Sequence, residues 1–496
     1  MYKALSLLLL TTIFNTCHSH LDAQDNDFDD IRMEVDFSDK LREWDGFGFN
    51  YVETAQTIDY EKDPQDYGGF SLLGEKEKQE IIEMVFGEDG LKVGIVKMFL
   101  DPWHQEKPGG EYDHETSTSN MREFVSRGVE MTRSRGEDLQ IFTTLYGPPP
   151  FITKQKFLRG RDFDPDMKDE LLNYYVDWVK YLKEHDYPIK YVSLHNEGED
   201  WSRWPTDGKS GNIGEGHDYN MYWPRELINE IIISLRKNLD DSGYADVGVT
   251  NGETTNWYRF YNWGNAYALY QNDSALNNLS IVTSHGFYHG FIGTRWYADH
   301  QSTGIDLLRT KRPDLKSWVT STGWGKMDTY FISEMQGSIY TAKVNAIIPW
   351  AGIQRPVKWV GGDPNAGAAF HVSEDGSYKV LPGYYLYKQI TRAGQPGMAV
   401  VRTIAMSTET PIVAFGSDDT DHQDAFVVIN NSDRWEKNIN VNITGASASK
   451  FKAYRTTQEE NGDKYKEIGV FELKNGAIRT RLPVSSVTTF FAVEEK

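Results

Sequence analysis

The chain has 496 residues, more than one ordinary core holds, so a large domain with a smaller companion is the expectation. Its formal net charge of −21, from 52 basic and 73 acidic residues, excludes nucleic acid as the natural partner, because phosphates would be repelled. A hydrophobic share of 39% suits a packed globular protein, and 14 Trp with 28 Tyr supply many flat faces of the kind sugars stack on.

Met1 to Lys3 and the apolar run Leu5 to Phe14 read as a signal peptide, too short to span a bilayer, with cleavage after Ala23. This places the mature protein outside the cytoplasm, secreted or periplasmic. Cys17, the single cysteine, lies in that segment. It is either discarded with the signal or a lipid-attachment residue of an outer-membrane lipoprotein. Neither reading leaves a disulfide or a cysteine metal site. Residues 24–30 form an acidic tail expected to be disordered.

Ile31 to Phe37 alternates apolar and polar residues as a half-buried strand does, within an N-terminal strand segment at 31–43. From Trp44 to about residue 352 β-like and helix-like runs alternate, the pattern of βαβ units. Strands are expected at Val93–Phe99, Leu139–Leu145, Tyr191–Leu194, Asp246–Thr250, Leu279–Thr283, Ser317–Thr320 and Ala346–Ile348. Helices are expected at Gly74–Phe86, Asp169–Glu184, Arg225–Leu239 and Thr329–Val344. The count fits a (β/α)8 TIM barrel over 44–379. After about residue 380 short alternating runs separated by Gly, Asn and Asp turns read as a β-sandwich at 380–496, which the early strand would join.

Polar and aromatic residues gather repeatedly at the strand ends, where a parallel barrel places its chemistry. The fourth strand ends in His195-Asn196-Glu197-Gly198, followed by Glu199, Asp200 and Trp201. A glutamate there, beside an amide and aromatics, suits proton transfer to a sugar oxygen. The plainer alternative is a capping asparagine and a solvated acidic loop. Trp103, Trp201, Trp204, Trp257, Trp324 and Trp350 all fall at or just beyond strand ends, and with Tyr146 they are expected to line a sugar cleft. Trp350 is also a candidate for barrel-mouth packing. His285 and Tyr288 close the sixth strand and are expected to orient a carboxylate or grip a hydroxyl. His285 and His289 have i,i+4 spacing, but in a loop, so no metal site is expected.

In order along the chain, Trp44-Asp-Gly-Phe-Gly48, Ile82 to Leu91, Tyr146-Gly-Pro-Pro-Pro-Phe151, His195-Asn-Glu-Gly198, His285-Gly-Phe-Tyr288 and Pro483 to Phe490 resemble glycoside hydrolase family 30. That resemblance implies a catalytic barrel with a side β-sandwich built from both termini, and O-glycosidic hydrolysis of a polysaccharide or oligosaccharide without a cofactor. It also implies that Glu197 is the acid/base and that Asn196 lies near the sugar 2-hydroxyl. The family's Asn-Glu-Pro is Asn-Glu-Gly in this chain, and its arginine near the second strand is Lys97. Its nucleophilic glutamate at the end of strand seven is missing: Ser321 or Thr322 stands there.

Hydrolysis of a glycoside normally needs two carboxyl groups. Glu253, closing the fifth strand in Asn251-Gly-Glu253, is the first choice for the second, with an exposed loop acid as its plainer reading. Asp101, closing the second strand beside Trp103 and His104, is the next choice, or else a ligand for a sugar hydroxyl. Glu199 and Asp200 read as solvated loop acids and Glu334 as a helix residue; Lys97, Lys154 and Arg203 are candidates to meet sulfate or uronate groups, with a surface or salt-bridged role as the plainer reading. The chain is expected to act as a monomer on carbohydrate. The competing expectation is an inactive barrel that binds carbohydrate without cleaving it.

Overall fold

Alternating strand and helix runs close into a ring of eight parallel strands: Gly46–Asn50, Ile95–Leu100, Gln140–Leu145, Ile189–Ser193, Gly248–Thr250, Ile281–Ser284, Lys316–Gly323 and Ala346–Trp350, called strands 1 to 8 below. A computed structural model of the chain describes residues 30–53, 68–115, 117–207, 219–288, 300–323, 327–355 and 368–493. The segment expected to be a signal peptide, with Cys17, nearly all of the acidic tail, His289 and Trp324 lie outside the described residues. Helices follow each strand around the ring, among them Glu75–Phe86, Ser119–Ser134, Lys168–Glu184, Arg225–Asp241 and Thr329–Tyr340. Among the described residues no helix is long and apolar enough to cross a membrane.

Helix Lys168–Glu184 shows why the local sequence folds this way. Leu171, Tyr174, Tyr175, Trp178, Val179 and Leu182 recur at helical spacing and are buried. Asp169 and Glu170 sit in its first turn and Lys183 in its last, matching the helix dipole. The helix delivers the chain to strand 4.

Residues two apart on a strand share a face. Ile95 of strand 2 packs inside the ring with Phe142, Ile281, Trp318 and Ala346, forming an apolar plug. The same period points Lys97 inward one layer higher, fully buried, its ammonium over the Phe99 and Phe142 rings at 4.9 and 5.9 Å.

Nine strands form the side domain, in the order that places Ile31–Glu43 between Ala399–Ala405 (antiparallel) and Lys437–Thr444 (parallel). The sheet folds over a second core of Met33, Val35, Phe426, Val441 and Phe490. Phe37 of the first strand therefore meets Phe451 at 6.4 Å, although their strands are far apart in the sheet. The N-terminal strand thus completes the sandwich, as its alternation implied. Helix Pro382–Ala393, absent from the sequence reading, opens the segment read there as all-β. It buries Tyr384, Leu386, Tyr387 and Ile390 between the barrel and the side domain.

Candidate active site

Strands 4, 5 and 6 keep pairing past their regular ends. Glu197 N donates to Glu253 O and Glu253 N to His195 O, both at 2.8 Å, and His285 N donates to Thr254 O at 2.8 Å. These bonds hold Glu197, Glu253 and His285 side by side at the barrel mouth. Glu197 takes a left-handed backbone, φ 46°, uncommon for a residue with a side chain and often found at functional positions.

His285 stands between the two glutamates. Its Nδ1 lies 2.8 Å from Glu197 Oε1 and its Nε2 lies 3.7 Å from Glu253 Oε2. The second is an electrostatic contact, too long for a hydrogen bond. Both carboxylates flank one imidazole ring, which caps the separation of those two oxygens at about 9 Å, within reach of a catalytic pair.

Glu253 is fully buried, and its oxygens are engaged by Lys97 Nζ at 2.7 Å and Thr144 Oγ1 at 2.8 Å. Burial alone would raise its pKa, but the Lys97 charge and His285 outweigh burial and bring it down to about 2. The Lys97 charge therefore favours the anionic form of Glu253. Burial also opposes the imidazolium of His285. The two glutamates outweigh it, and the His285 pKa ends above its ordinary value.

Glu197 has a second holder that sequence reading missed. Arg203 Nη1 reaches Glu197 Oε2 and the Glu197 carbonyl, each at 3.1 Å. The short turn Trp201–Arg203 is capped by Asp200, which accepts from Ser202 N, and this turn folds the arginine back onto the glutamate. The Asp-x-Ser pattern was the available signal. The cations Lys97 and Arg203 are thus each spent on a glutamate of the mouth.

Two glycines make the close packing possible. Gly252 has φ +80°, and a Cβ there would lie 2.3 Å from the His195 ring. Gly198 stands where the resembling family has proline. Its N–H donates to His195 Nδ1 at 3.1 Å, and a Cβ there would lie 2.4 Å from Trp223. Burial holds the His195 pKa down to about 4, so the ring is neutral and can accept that bond. Trp223 stacks on it at 5.3 Å.

The other expected residues scatter. Asp101 is buried beneath its own loop, accepting from Ser117 Oγ at 2.7 Å and Trp103 N at 3.1 Å. Tyr146 and Trp350 pack edge-on against Phe99 at 5.0 and 5.9 Å, and Trp257 packs edge-on against Phe260. Tyr288 is buried near His300 and Phe331, Trp204 is buried under Arg203, and Trp103 meets Tyr219 edge-on. Trp201 is open, 60% exposed. Asn196, nearly buried, receives Asn220 Nδ2 on its carbonyl, and its side-chain Oδ1 has no partner among the described residues. Glu334 pairs with His300 at 2.7 Å, and the His300 ring lies 5.0 Å from that of Tyr288. At the end of strand 7, Ser321 and Thr322 are buried, and Asn50 Nδ2 lies 3.4 Å from Ser321 Oγ.

An eight-stranded barrel with a side sandwich fed by both termini defines a fold shared with glycoside hydrolases of family 30. Three solved structures illustrate the likeness, each across 93% or more of this chain. The catalytic domain of xylanase C of Talaromyces cellulolyticus superimposes with a TM-score of 0.68 at 16% identity, over all of its own length. A family 30 endoxylanase of Clostridium papyrosolvens gives 0.66 at 17%, also over its whole length. An endo-β-1,6-glucanase gives 0.64 at 12%, over 94% of its chain. No protein-family model and no curated protein matches the sequence. At these identities the likeness is one of fold, and it supports the family 30 resemblance read from the motifs.

Proposed function

We propose that the protein is a secreted glycosidase that cleaves O-glycosidic bonds in a polysaccharide or oligosaccharide, with Glu197 as acid/base and Glu253 as the second carboxylate. The observation that carries this reading is the placement of His285: one imidazole stands between the two glutamates, 2.8 Å from Glu197 and 3.7 Å from Glu253, at the mouth of a family 30-type barrel. The fold's relatives include xylanases and a glucanase, which supports a carbohydrate substrate. The signal-like start of the chain supports secretion.

In the proposed mechanism the proton on the Glu197–His285 line is delivered by Glu197 to the leaving oxygen. Positive charge then develops on the anomeric carbon. Glu253, kept ionised by Lys97, supplies the negative charge that this transition state needs. The anomeric form of the first product, read by NMR, tells whether Glu253 attacks carbon or activates water. A second reading, a barrel that binds glycans without cleaving them, draws on the complete burial of Glu253. The deciding experiment is a screen of plant, fungal and algal glycans with wild type and Glu197→Gln. Turnover of at least one glycan should fall by about a thousandfold in the variant, with its melting curve kept. Binding without any cleavage by wild type would establish the second reading instead.

A further inference from the structure

Beside the mouth lies a second feature built from the same two loops. Two residues beyond Glu197 comes Glu199, and two beyond Glu253 comes Thr255. Glu199 Oε1 accepts from Thr255 N at 3.0 Å, from Thr255 Oγ1 at 2.6 Å and from Arg259 Nη1 at 3.2 Å. Glu199 was read from sequence as a solvated acid, yet its side chain is 1% exposed. Its second oxygen, Oε2, has no hydrogen-bond partner among the described residues. A buried carboxylate oxygen left without a donor is costly, and a ligand hydroxyl removes that cost.

Glu199 forms part of the wall of an open cleft of about 350 Å³ that also includes Trp201, Tyr222, Trp263 and Asn265. Trp201 is 60% exposed and Trp263 38%, an unusual outlay of large apolar surface for two side chains in one cleft. Trp263 is braced from behind by the Arg259 guanidinium, 4.2 Å from its ring. From behind the wall Arg259 serves Glu199 and, at 3.5 Å, Asp200, while Arg225, the one cation among the described wall residues, is tied to the Trp263 carbonyl and to the exposed Glu226. With two carboxylates, Glu199 and Asp200, against the single cation Arg225, the described wall residues disfavour a uronate or sulfate and favour an uncharged ring with hydroxyl donors.

We infer that this cleft is a binding subsite for a neutral sugar unit of the substrate, on the leaving-group side of the scissile bond. The inference rests on the glycosidase reading. An acid protonates the leaving oxygen, so the departing half of the chain lies on the side of Glu197, and the cleft is walled by the loop that runs on from it. The sugar face packs on Trp201 or Trp263, and a hydroxyl donates to Glu199 Oε2.

The test uses the full-length Glu197→Gln protein, so that chains bind without being cut. Xylohexaose, β-1,6-linked glucohexaose and the two matching disaccharides are titrated by calorimetry. Trp263→Ala and, at the exposed surface where folding does not depend on it, Trp201→Ala are then added to that background, with circular dichroism as the folding check. For a hexasaccharide that binds, each added variant should weaken affinity about fivefold or more, while the disaccharide changes less than about twofold. Equal losses at both lengths, or none, overturn the subsite and leave the glycosidase reading standing if wild type cleaves a glycan. Failure of both hexasaccharides to bind also overturns the neutral-sugar subsite, and the glycan screen then decides the glycosidase reading separately.

Discussion

Strands 5 and 7 of the barrel end in opposite ways. Strand 7, where family 30 enzymes carry their nucleophile, presents the neutral Ser321 and Thr322, with Asn50 as a polar neighbour. Strand 5 presents a carboxylate with a dedicated cation, a hydroxyl donor and a histidine around it. Under the proposed function, the barrel keeps its charge requirement while moving the residue that meets it. The support moves as well: Lys97 reaches across from strand 2 to Glu253.

The largest way to break this arrangement is Lys97→Met. It leaves Glu253 buried without its cation and should cost about 3–5 kcal/mol, read from chemical denaturation. A cost below about 1 kcal/mol would mean that the strand 5 carboxylate does not depend on Lys97.

A pH series sharpens the role of the bridge. The pKa of His285 is raised above 6.5, so its contribution to stability is complete below 6.5 and is lost as pH rises through the higher folded value. Glu253 is lowered from 4.5 to about 2, so its contribution is present above 4.5 and is lost as pH falls toward 2. The melting temperature should therefore decline on the alkaline side in wild type and decline less in His285→Gln. Parallel curves for the two proteins would remove the bridge from the explanation.

Gly198→Pro restores the motif of the resembling family and should be the mildest break. It deletes the N–H that His195 accepts and pushes ring atoms toward Trp223. A cost of about 1–3 kcal/mol is expected. A neutral outcome would show that the strand 4 tip adapts more freely than its packing implies.

Much of this was legible in the chain. The strand and helix alternation gave the barrel, the alternating start at Ile31 gave the sandwich's extra strand, and His195-Asn196-Glu197 marked the mouth. Glu253 was reached by position alone, as an acid closing a strand. What escaped were pairings between distant segments. Lys97 lies on the inward face with Ile95, but that it meets Glu253 depends on how strands 2 and 5 face each other across the ring. Glu199 looked solvated because Thr255 and Arg259, which bury it, arrive from the loop and short helix that follow strand 5. Several tryptophans expected in the cleft pack instead, since strand ends also need filling, and local sequence does not distinguish a packing ring from a stacking platform.

The most direct measurement compares Glu253→Ala with Ser321→Ala on whichever glycan wild type cleaves best. With Glu253 as the working partner of Glu197, turnover falls by about a thousandfold or more in Glu253→Ala and stays within about tenfold of wild type in Ser321→Ala. The reverse ranking, or a Glu253→Ala protein that is folded and fully active, would contradict the assignment of the second carboxylate to strand 5.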